Sequence, residues 1–246
     1  INSGKIDPIE VEQHLSIVAL VGSNMKSQVG ISGQMFSVLG RNGINIKTIA
    51  QGSSERNITV VIQKRHLKKA LNALHESFFI EEIKKVNLFI IGLGNVGKAF
   101  LEQVSNQQVY LLDKLNMKLA IIGAANSRTM LFDEQGLDPV VFMEELPKSE
   151  SFDQAAFLEK MRTLNLRNSI FIDITASATV AEIYEEVLKE SISVVTPNKI
   201  AATREYRHYS LLKSLSKKYK SQFLFETNVG AGLPVLSTLS DLVKSG

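Results

Sequence analysis

Three glycines with the spacing Gly-x-Gly-x-x-Gly are the residues whose types and positions point most directly to chemistry. They follow an apolar, strand-like run at residues 86–91 and precede a long helical pattern. In that setting the first glycine permits a tight turn, the second lets the backbone approach a pyrophosphate, and the third lets helix and strand pack closely. The helix N-terminus offers its free N–H groups to the anion. The motif predicts a dinucleotide-binding loop, with a glycine turn that binds no cofactor as the alternative; its residues are Gly92, Leu93, Gly94, Asn95, Val96 and Gly97.

The residues after the second strand of this part indicate the type of dinucleotide. An NAD-binding protein carries an acidic residue there for the ribose 2′-hydroxyl, whereas this segment reads Asn126-Ser127-Arg128. Arg128 and the Ser127 hydroxyl suit a 2′-phosphate. Asp113 stands where the acid is conventionally sought, but the apolar pattern puts it at the end of the long helix. We therefore predict NADP and leave NAD open; an Arg128 that is only a solvated loop cation is the alternative.

More polar residues occur where later strands end, and a doubly wound sheet binds its ligand beyond the carboxyl ends of its strands. Thr175 and Ser177 follow one such strand and can donate to a cofactor, cap the next helix, or do both. Lys199 follows another strand and the turn-setting Pro197, so we expect it to point into the cleft and orient a carbonyl or pass a proton. Glu226 ends a buried strand before a glycine-rich run.

An alternation of apolar strands and amphipathic helices must position these residues. Continuous apolar strands that alternate with helices are typical of an α/β fold with a doubly wound parallel sheet of the Rossmann type. The predicted strands are residues 86–91, 119–124, 170–174, 192–196 and 223–226. The predicted helices are the long one after the glycine motif and residues 152–164, 179–189 and 204–219.

The first part of the chain has another pattern, with the order β-α-β-β-α-β of a ferredoxin-like fold. Its predicted strands are residues 15–21, 44–49, 58–62 and 78–83, with one helix that runs from residue 30 to residue 41 and another around residues 67–74. Many binding modules use this architecture, so it says little about function. The predicted division is a leading segment 1–14, a first domain 15–85 and a second domain 86–246.

Composition excludes several classes of protein. The 246 residues include no Cys, which excludes thiol catalysis and Cys-ligated metal centres and gives no sign of secretion. The net charge of +3 is too small to indicate nucleic-acid binding. No apolar run approaches the ~20 residues of a membrane span, and the N-terminus lacks a signal-peptide pattern. We expect a cytoplasmic protein that binds small molecules, neither nucleic acid nor a membrane.

Longer motifs resemble two known families. The second part resembles the nucleotide-binding domain of homoserine dehydrogenase in its segments IGLGNVG (91–97), ANS (125–127), DITAS (173–177), VVTPNK (194–199) and ETNVGAGLPV (226–235). The first part resembles the C-terminal ACT domain of an aspartokinase in VGSNM (21–25), GIS (30–32), GINI (43–46) and IAQGSSERNI (49–58). An ACT unit joined directly to such a dehydrogenase is the arrangement of the bifunctional aspartokinase–homoserine dehydrogenases.

The resemblance implies reversible reduction of aspartate 4-semialdehyde to homoserine by NAD(P)H, in threonine and methionine biosynthesis. By resemblance, the glycine loop, Asn126, Thr175 and Lys199 fall on cofactor positions, and Lys199 also lies close to the reacting carbon. Glu226 falls where the substrate amino group and a monovalent cation, sodium or potassium, are met. Carbonyl oxygens suit such a hard ion, and the resemblance assigns it those of Val229, Ala231 and Leu233. Lys199 and Glu226 are the implied catalytic residues.

The ACT resemblance implies an amino-acid effector, with threonine as the candidate. Main-chain groups near Met25, Gly30 and Ile31 would hold it, together with Asn45 and Gln51. A Gln51 that is only a polar residue at a strand end is the alternative. ACT pockets usually form between two ACT units, and this chain contains one, so the effector stays open. We also expect a homo-oligomer.

Two departures from the family pattern stand out. Asn24 replaces the usual glycine in the first ACT turn, and Asn tolerates positive φ better than most residues. The chain also lacks an initiator Met and stops where the family continues into its substrate domain. We therefore predict a central fragment that binds NADP without turnover on its own. The rival hypotheses are a nucleotide sensor built from ACT and Rossmann units without catalysis, and a dehydrogenase of another amino-acid semialdehyde.

Overall fold

A computed structural model describes residues 10–22, 25, 29–52, 56–79 and 83–245 of the chain. These residues form two compact units, Ile1–Phe78 and Phe79–Gly246, which we treat separately. Among the described residues, no helix combines the length and the apolar character that crossing a membrane requires.

The first unit is a small antiparallel sheet covered by two helices. Its elements are β1 (Leu15–Val21), α1 (Ile31–Arg41), β2 (Ile46–Gln51), β3 (Asn57–Gln63) and α2 (Leu67–Phe79). Strand β3 lies between β1 and β2. Ile58, Val60 and Ile62 alternate along β3 and point inward, where they meet Met35 and Leu39 of α1 in the core. The period-two pattern of β3 therefore places one of its faces against the helices.

The closing strand predicted at residues 78–83 is wrong in its first half. Phe78 and Phe79 belong to α2, and residues 80–82 lie outside the described part of the chain. Ala70, Leu74 and Phe78 recur at intervals of four, so the apolar face of the helix continues to its last turn. All three pack into the core of this unit. Within the described residues the small sheet has three strands.

The second unit is built on a seven-stranded sheet in the order β10-β9-β8-β4-β5-β6-β7. Its strands are β4 (Lys84–Ile91), β5 (Met117–Ala125), β6 (Thr129–Leu137), β7 (Glu150–Ser151), β8 (Ser169–Asp173), β9 (Ser193–Val195) and β10 (Phe223–Leu224). Its helices are α3 (Asn95–Leu115), α4 (Pro139–Glu145), α5 (Gln154–Leu164), α6 (Ala178–Glu182), α7 (Tyr184–Lys189), α8 (Ile200–Thr203), α9 (Tyr206–Lys218) and α10 (Val235–Ser245). Leu146–Lys148 and Glu226–Asn228 form short 3-10 turns.

Both faces of this sheet are buried under helices. Strand β4 contributes Phe89 and Ile91 to the cluster that includes α5, α7 and α9. The same strand contributes Leu88 and Ile90 to a second cluster with α3 and α4. Because alternate residues of a strand point to opposite faces, a strand covered on both sides is mainly apolar, as the pattern at residues 86–91 predicts, with the buried Asn87 as the polar exception. The Rossmann-type class of the prediction is confirmed.

The sheet departs from the all-parallel prediction at one edge. Strand β6 runs antiparallel to β5, and β7 runs antiparallel to β6. Neither strand was predicted, because the second half of β6 carries Asp133, Glu134 and the left-handed Gly136 in place of an apolar run. The predicted helix 179–189 is also divided at Ile183, whose N–H donates to the Val180 carbonyl three residues back (3.4 Å) instead of four.

Candidate functional site

The glycine motif lies at the centre of the sheet, between β4 and α3. Strand β4 pairs with β5 on one side and with β8 on the other, so the strand order reverses there and leaves a crevice beyond the strand ends. Gly92 has a φ of 111°, and a Cβ on it would lie 2.5 Å from the backbone of Ile174. A Cβ on Gly97 would lie 2.2 Å from the Gly92 carbonyl oxygen. Both positions are therefore restricted to glycine by backbone contacts.

Gly94, unlike Gly92 and Gly97, has room for a side chain. It precedes the first residue of α3, and a Cβ on it would meet no atom within 4 Å. No acidic side chain occupies the first turn of α3. The N-terminus of this 21-residue helix therefore faces open space, with the partial positive charge that attracts a phosphate. This geometry fits the pyrophosphate of a dinucleotide.

A cavity of about 750 Å³ lies in front of the loop. Its volume falls within the range typical of small-molecule sites. Eight of the predicted cofactor residues line it: Gly92, Leu93, Gly94, Asn126, Ser127, Arg128, Thr175 and Ser177. Asn95, Val96, Gly97 and Lys199 do not. Lys98, which the sequence reasoning missed, also lines the cavity; a cation in the first turn of a helix opposes the helix dipole, and that is a signal that could have identified it.

The turn between β5 and β6 presents Ser127 and Arg128 to the cavity. The Asn126 side-chain oxygen accepts hydrogen bonds from the N–H of Arg128 (2.7 Å) and of Thr129 (2.8 Å). This Asx-turn fixes the backbone of the segment. The Arg128 carbonyl also accepts from the N–H of Phe152 (2.8 Å). The Arg128 side chain, held at its backbone on both sides, is exposed at the cavity rim.

Thr175 and Ser177 combine a lining position with local hydrogen bonds. The Ser177 hydroxyl accepts from the N–H of Val180 (3.4 Å) and caps α6. The Thr175 hydroxyl accepts from the N–H of Ser177 (3.0 Å). Ser177 therefore has the predicted capping role, and both Thr175 and Ser177 also line the cavity.

A buried polar network behind this loop was missed by the sequence reasoning. Asp173 is fully buried at the end of β8, and the hydroxyl of Tyr184 and the side-chain amide of Asn198 both donate to its carboxylate. The Thr196 hydroxyl donates to the Asp173 carbonyl (2.9 Å). Burial raises the pKa of Tyr184, and the neighbouring Asp173 charge raises it further. The Tyr184 hydroxyl therefore stays protonated and donates its hydrogen bond to Asp173.

Lys199 lies immediately after this network and is the N-cap residue of the short helix α8. Its carbonyl accepts from the N–H of Thr203 (3.0 Å), and its side chain is exposed. A second cavity of about 650 Å³ opens on the α3 side of the strand ends, lined among others by Phe100, Pro197 and Glu226. Lys199 lines neither cavity. The structure thus brings Glu226, but not the Lys199 side chain, into a cavity wall.

The Glu226 carboxylate is held by the start of α10. Both of its oxygens accept from the Ser237 N–H (3.1 Å each), and one also accepts from the Ser237 hydroxyl. Of the predicted cation ligands, Ala231 lines the second cavity, and the Leu233 carbonyl already accepts from the Val235 N–H (2.8 Å). Val229 lies between these and the 3-10 turn of Glu226.

A metal site made of carboxylate or imidazole side chains is absent from the part of the chain that the structure describes. Within the described ranges, no cluster of three or more His, Cys, Asp or Glu side chains could hold a metal ion.

The predicted effector residues are spread over the first unit. Gly30 has a φ of 89° and precedes α1, whose first residue, Ile31, is buried. Met25 packs against the core of this unit. Asn45 and Gln51 lie at opposite ends of β2, roughly 20 Å apart at the usual rise per strand residue. The unit by itself therefore does not bring these two side chains to one site.

Two family descriptions match the two units. Residues 18–78 match the ACT domain, and residues 92–226 match the family described as "Homoserine dehydrogenase, NAD binding domain". The bifunctional aspartokinase/homoserine dehydrogenase of Haemophilus influenzae is 39% identical over all of this chain, which covers 30% of that protein. The chloroplastic bifunctional enzyme 2 of Arabidopsis thaliana is 35% identical, again over the whole chain, and 27% of it is covered. The chain thus spans under a third of the length of these relatives.

Solved structures support the fold of the second unit. A hyperthermophilic archaeal homoserine dehydrogenase in complex with NADPH superposes with a TM-score of 0.52 at 24% identity, over 63% of this chain and 48% of that one. The homoserine dehydrogenase of Thermoplasma acidophilum gives 0.51 at 18% identity, over 64% and 48%. At these identities the likeness establishes the shared fold.

Proposed function

The chain belongs to the family of the homoserine dehydrogenase NAD-binding domain, and from that premise we propose that it is the central part of a bifunctional aspartokinase/homoserine dehydrogenase. The proposed reaction is the reversible reduction of aspartate 4-semialdehyde to homoserine. A nicotinamide cofactor bound at the strand ends supplies the hydride. In this proposal the kinase and the substrate domain belong to the rest of the relatives' length, and residues 1–246 alone bind the cofactor without turnover. A cytoplasmic location and a homo-oligomeric state belong to the same proposal.

The observation that carries the proposal is the convergence of three segments on the cavity of about 750 Å³. The open side of Gly94 receives the pyrophosphate, and the Lys98 ammonium offsets its charge. Ser127 and Arg128 receive a 2′-phosphate, because β5 ends without an acidic residue that would repel it. A guanidinium pairs with phosphate in a bidentate manner. NADP is therefore the proposed cofactor.

The second cavity is the proposed place for the reacting groups. Its wall is mainly apolar, apart from Glu226 and a few hydroxyl and amide groups, which suits a nicotinamide ring with a polar substrate at one end. Glu226 would receive the substrate amino group, and Lys199 would orient the carbonyl or transfer its proton. The carbonyls of residues 229, 231 and 233 would hold a monovalent cation. The bond that Leu233 already accepts leaves its second lone pair available.

Arg128→Asp in the full-length protein tests the assignment of the cofactor. We expect a loss of at least ten-fold in NADPH affinity with little change for NADH, since only NADPH carries the 2′-phosphate that the guanidinium would bind. Calorimetric titration with both cofactors measures the ratio. Arg207→Asp, an exposed arginine on α9, is the matched control. An unchanged ratio in Arg128→Asp would contradict the role of this residue.

A nucleotide sensor without catalysis is the second candidate, because the Lys199 side chain stands outside both cavity walls. Semialdehyde-dependent oxidation of NADPH by the full-length protein separates the two hypotheses. Turnover that Lys199→Ala lowers about 10²-fold, the scale of an acid–base or polarising group, supports the dehydrogenase. Cofactor binding without turnover supports the sensor. Turnover with another amino-acid semialdehyde, and none with aspartate 4-semialdehyde, would support a dehydrogenase of that other substrate.

The first unit is proposed to bind an amino-acid effector, with threonine as the candidate. The ACT family match supports a small-molecule ligand. Because Asn45 and Gln51 lie at opposite ends of β2, a pocket that uses both would require a second ACT unit. Loss of threonine inhibition in full-length Gln51→Ala would support this site, and unchanged inhibition would remove Gln51 from it.

A further inference from the structure

Asp173 is an acidic side chain with no exposure to solvent, at the end of the central strand β8. One of its carboxylate oxygens, Oδ1, accepts from the Thr175 N–H (2.7 Å). The other, Oδ2, accepts from the side-chain amide of Asn198 (2.9 Å) and from the Tyr184 hydroxyl. All three donors are uncharged, so hydrogen bonds alone compensate the buried carboxylate. Such a group is costly to bury unless its partners stay in place.

Asn198 connects this carboxylate to the segment that carries Lys199. Its side-chain amide also donates to the Ser177 carbonyl (2.9 Å), and its side-chain oxygen accepts from the Ile200 N–H (3.1 Å). Its own N–H donates to the Thr196 hydroxyl (2.8 Å). Asn198 is 3% exposed. The backbone on both sides of Lys199 is thereby tied to buried atoms, although the Lys199 side chain itself is exposed.

We propose that Asp173 is a positioning residue for Lys199. Its Oδ2 holds Asn198, and Asn198 in turn fixes the backbone around Lys199, the N-cap residue of α8. The inference rests on the proposed role of Lys199 in the dehydrogenase and extends it to a residue that touches neither cavity. A group displaced by about 1 Å from its reacting partner can lose 10²-fold in rate, so a fixed strand end has a direct catalytic consequence.

The two carboxylate oxygens serve two different loops, which makes the proposal separable by mutation. Asp173→Asn keeps one acceptor oxygen, which can stay opposite the Thr175 N–H of the cofactor loop. Its new NH₂ group then faces the NH₂ group of Asn198, and two donors cannot bond to each other. The variant therefore breaks the connection toward Lys199 and keeps the one toward Thr175.

The experiment compares Asp173→Asn with the wild type in the full-length protein. We expect a decrease of at least ten-fold in kcat, with the NADPH dissociation constant within two-fold of the wild type. We also expect faster amide hydrogen exchange, without cofactor, in a peptide spanning residues 196–203. Ser169→Ala is the matched control, because it removes a buried hydrogen bond (Ser169 hydroxyl to Leu166 carbonyl, 2.7 Å) at the opposite end of the same strand. Its kcat should match that of the wild type.

A double-mutant cycle with Lys199→Ala distinguishes positioning from a general structural role. If Asp173 acts through Lys199, Asp173→Asn lowers kcat less than two-fold once Lys199 has been removed. Equal decreases in both backgrounds would overturn the proposal, as would an unchanged kcat or an equal loss of NADPH affinity. If Asp173→Asn fails to fold, Asn198→Ala replaces it under the same criteria, since it leaves the buried carboxylate its other donors.

Failure of the proposed function gives a different result. A full-length wild type that binds NADPH but reduces no semialdehyde would contradict the dehydrogenase. The exchange measurement would still decide whether Asp173 fixes residues 196–203, and unchanged exchange in Asp173→Asn would overturn that link. The two failures are therefore distinguishable.

Discussion

The two sides of the cavity that we propose for the cofactor are held together by different interactions. On the β4 side, Gly92 and Gly97 are restricted by backbone contacts that leave no room for a Cβ. On the β8–β9 side, polar side chains around Asp173 connect the strand ends through hydrogen bonds. The first side depends on the absence of side chains, and the second depends on their functional groups.

This difference predicts two kinds of response to mutation. A methyl group added at Gly92 or Gly97 must displace the backbone, because the nearest atoms belong to the backbone and not to a flexible side chain. A lost hydroxyl or amide inserts no atom between backbone groups and removes one hydrogen bond, so its cost in the free energy of unfolding is smaller. A single substitution on the β4 side should therefore cost more folding stability than a single substitution on the β8–β9 side.

Gly97→Ala should have the largest effect. Its Cβ would lie 2.2 Å from the Gly92 carbonyl oxygen, so we expect a loss of about 3 kcal/mol or more in the free energy of unfolding. Urea denaturation followed by circular dichroism measures it. Gly94→Ala is the control within the motif: it should fold normally and bind NADPH about ten-fold more weakly, because its Cβ would occupy the space of the phosphate. Equal stability of Gly97→Ala and Gly94→Ala would contradict the conclusion that backbone contacts restrict Gly97, but not Gly94, to glycine.

Tyr184→Phe tests the polar side at an intermediate magnitude. It removes the hydroxyl that donates to the buried Asp173 carboxylate, so we expect a loss of about 1.5–3 kcal/mol, the usual range for a hydrogen bond to a charged group. The same denaturation measurement applies. Tyr110→Phe, at a position 55% exposed on α3, should change stability by less than about 0.5 kcal/mol. A Tyr184→Phe variant as stable as this control would contradict the network.

Ser177→Ala should have the smallest effect, since its hydroxyl caps the short helix α6. We expect a loss of about 1 kcal/mol in stability and about three-fold in NADPH affinity, for one hydrogen bond to the cofactor. Asp153→Ala, which removes the N-cap of α5, should lose similar stability without loss of affinity. If cofactor affinity is unchanged in both variants, Ser177 has only its capping role.

The sequence predicted the first side of the cavity better than the second, for a physical reason. A glycine that backbone contacts require is visible in the local pattern, and so is the missing acid before Arg128. The Asp173 network is not local: the pairing of β8 with β9 brings Asn198 to the carboxylate from 25 positions away, and the packing of α7 brings Tyr184 from 11 positions away. A single sequence does not distinguish this buried aspartate from the exposed ones.

The element predictions failed where local and tertiary preferences conflict. Phe78 has a strand-forming side chain, yet it completes the apolar face of α2. Strand β6 contains charged residues and a left-handed glycine, yet it pairs with β5 because that position covers the sheet edge. In both cases packing against the rest of the unit outweighed the intrinsic preference of the residues.

The outermost strands of the seven-stranded sheet, β7 and β10, contain two residues each. A sheet edge recruits another chain through its row of unpaired N–H and C=O groups, and strands this short offer too few of them for a stable ladder. These two outermost strands therefore disfavour pairing with a strand of another copy.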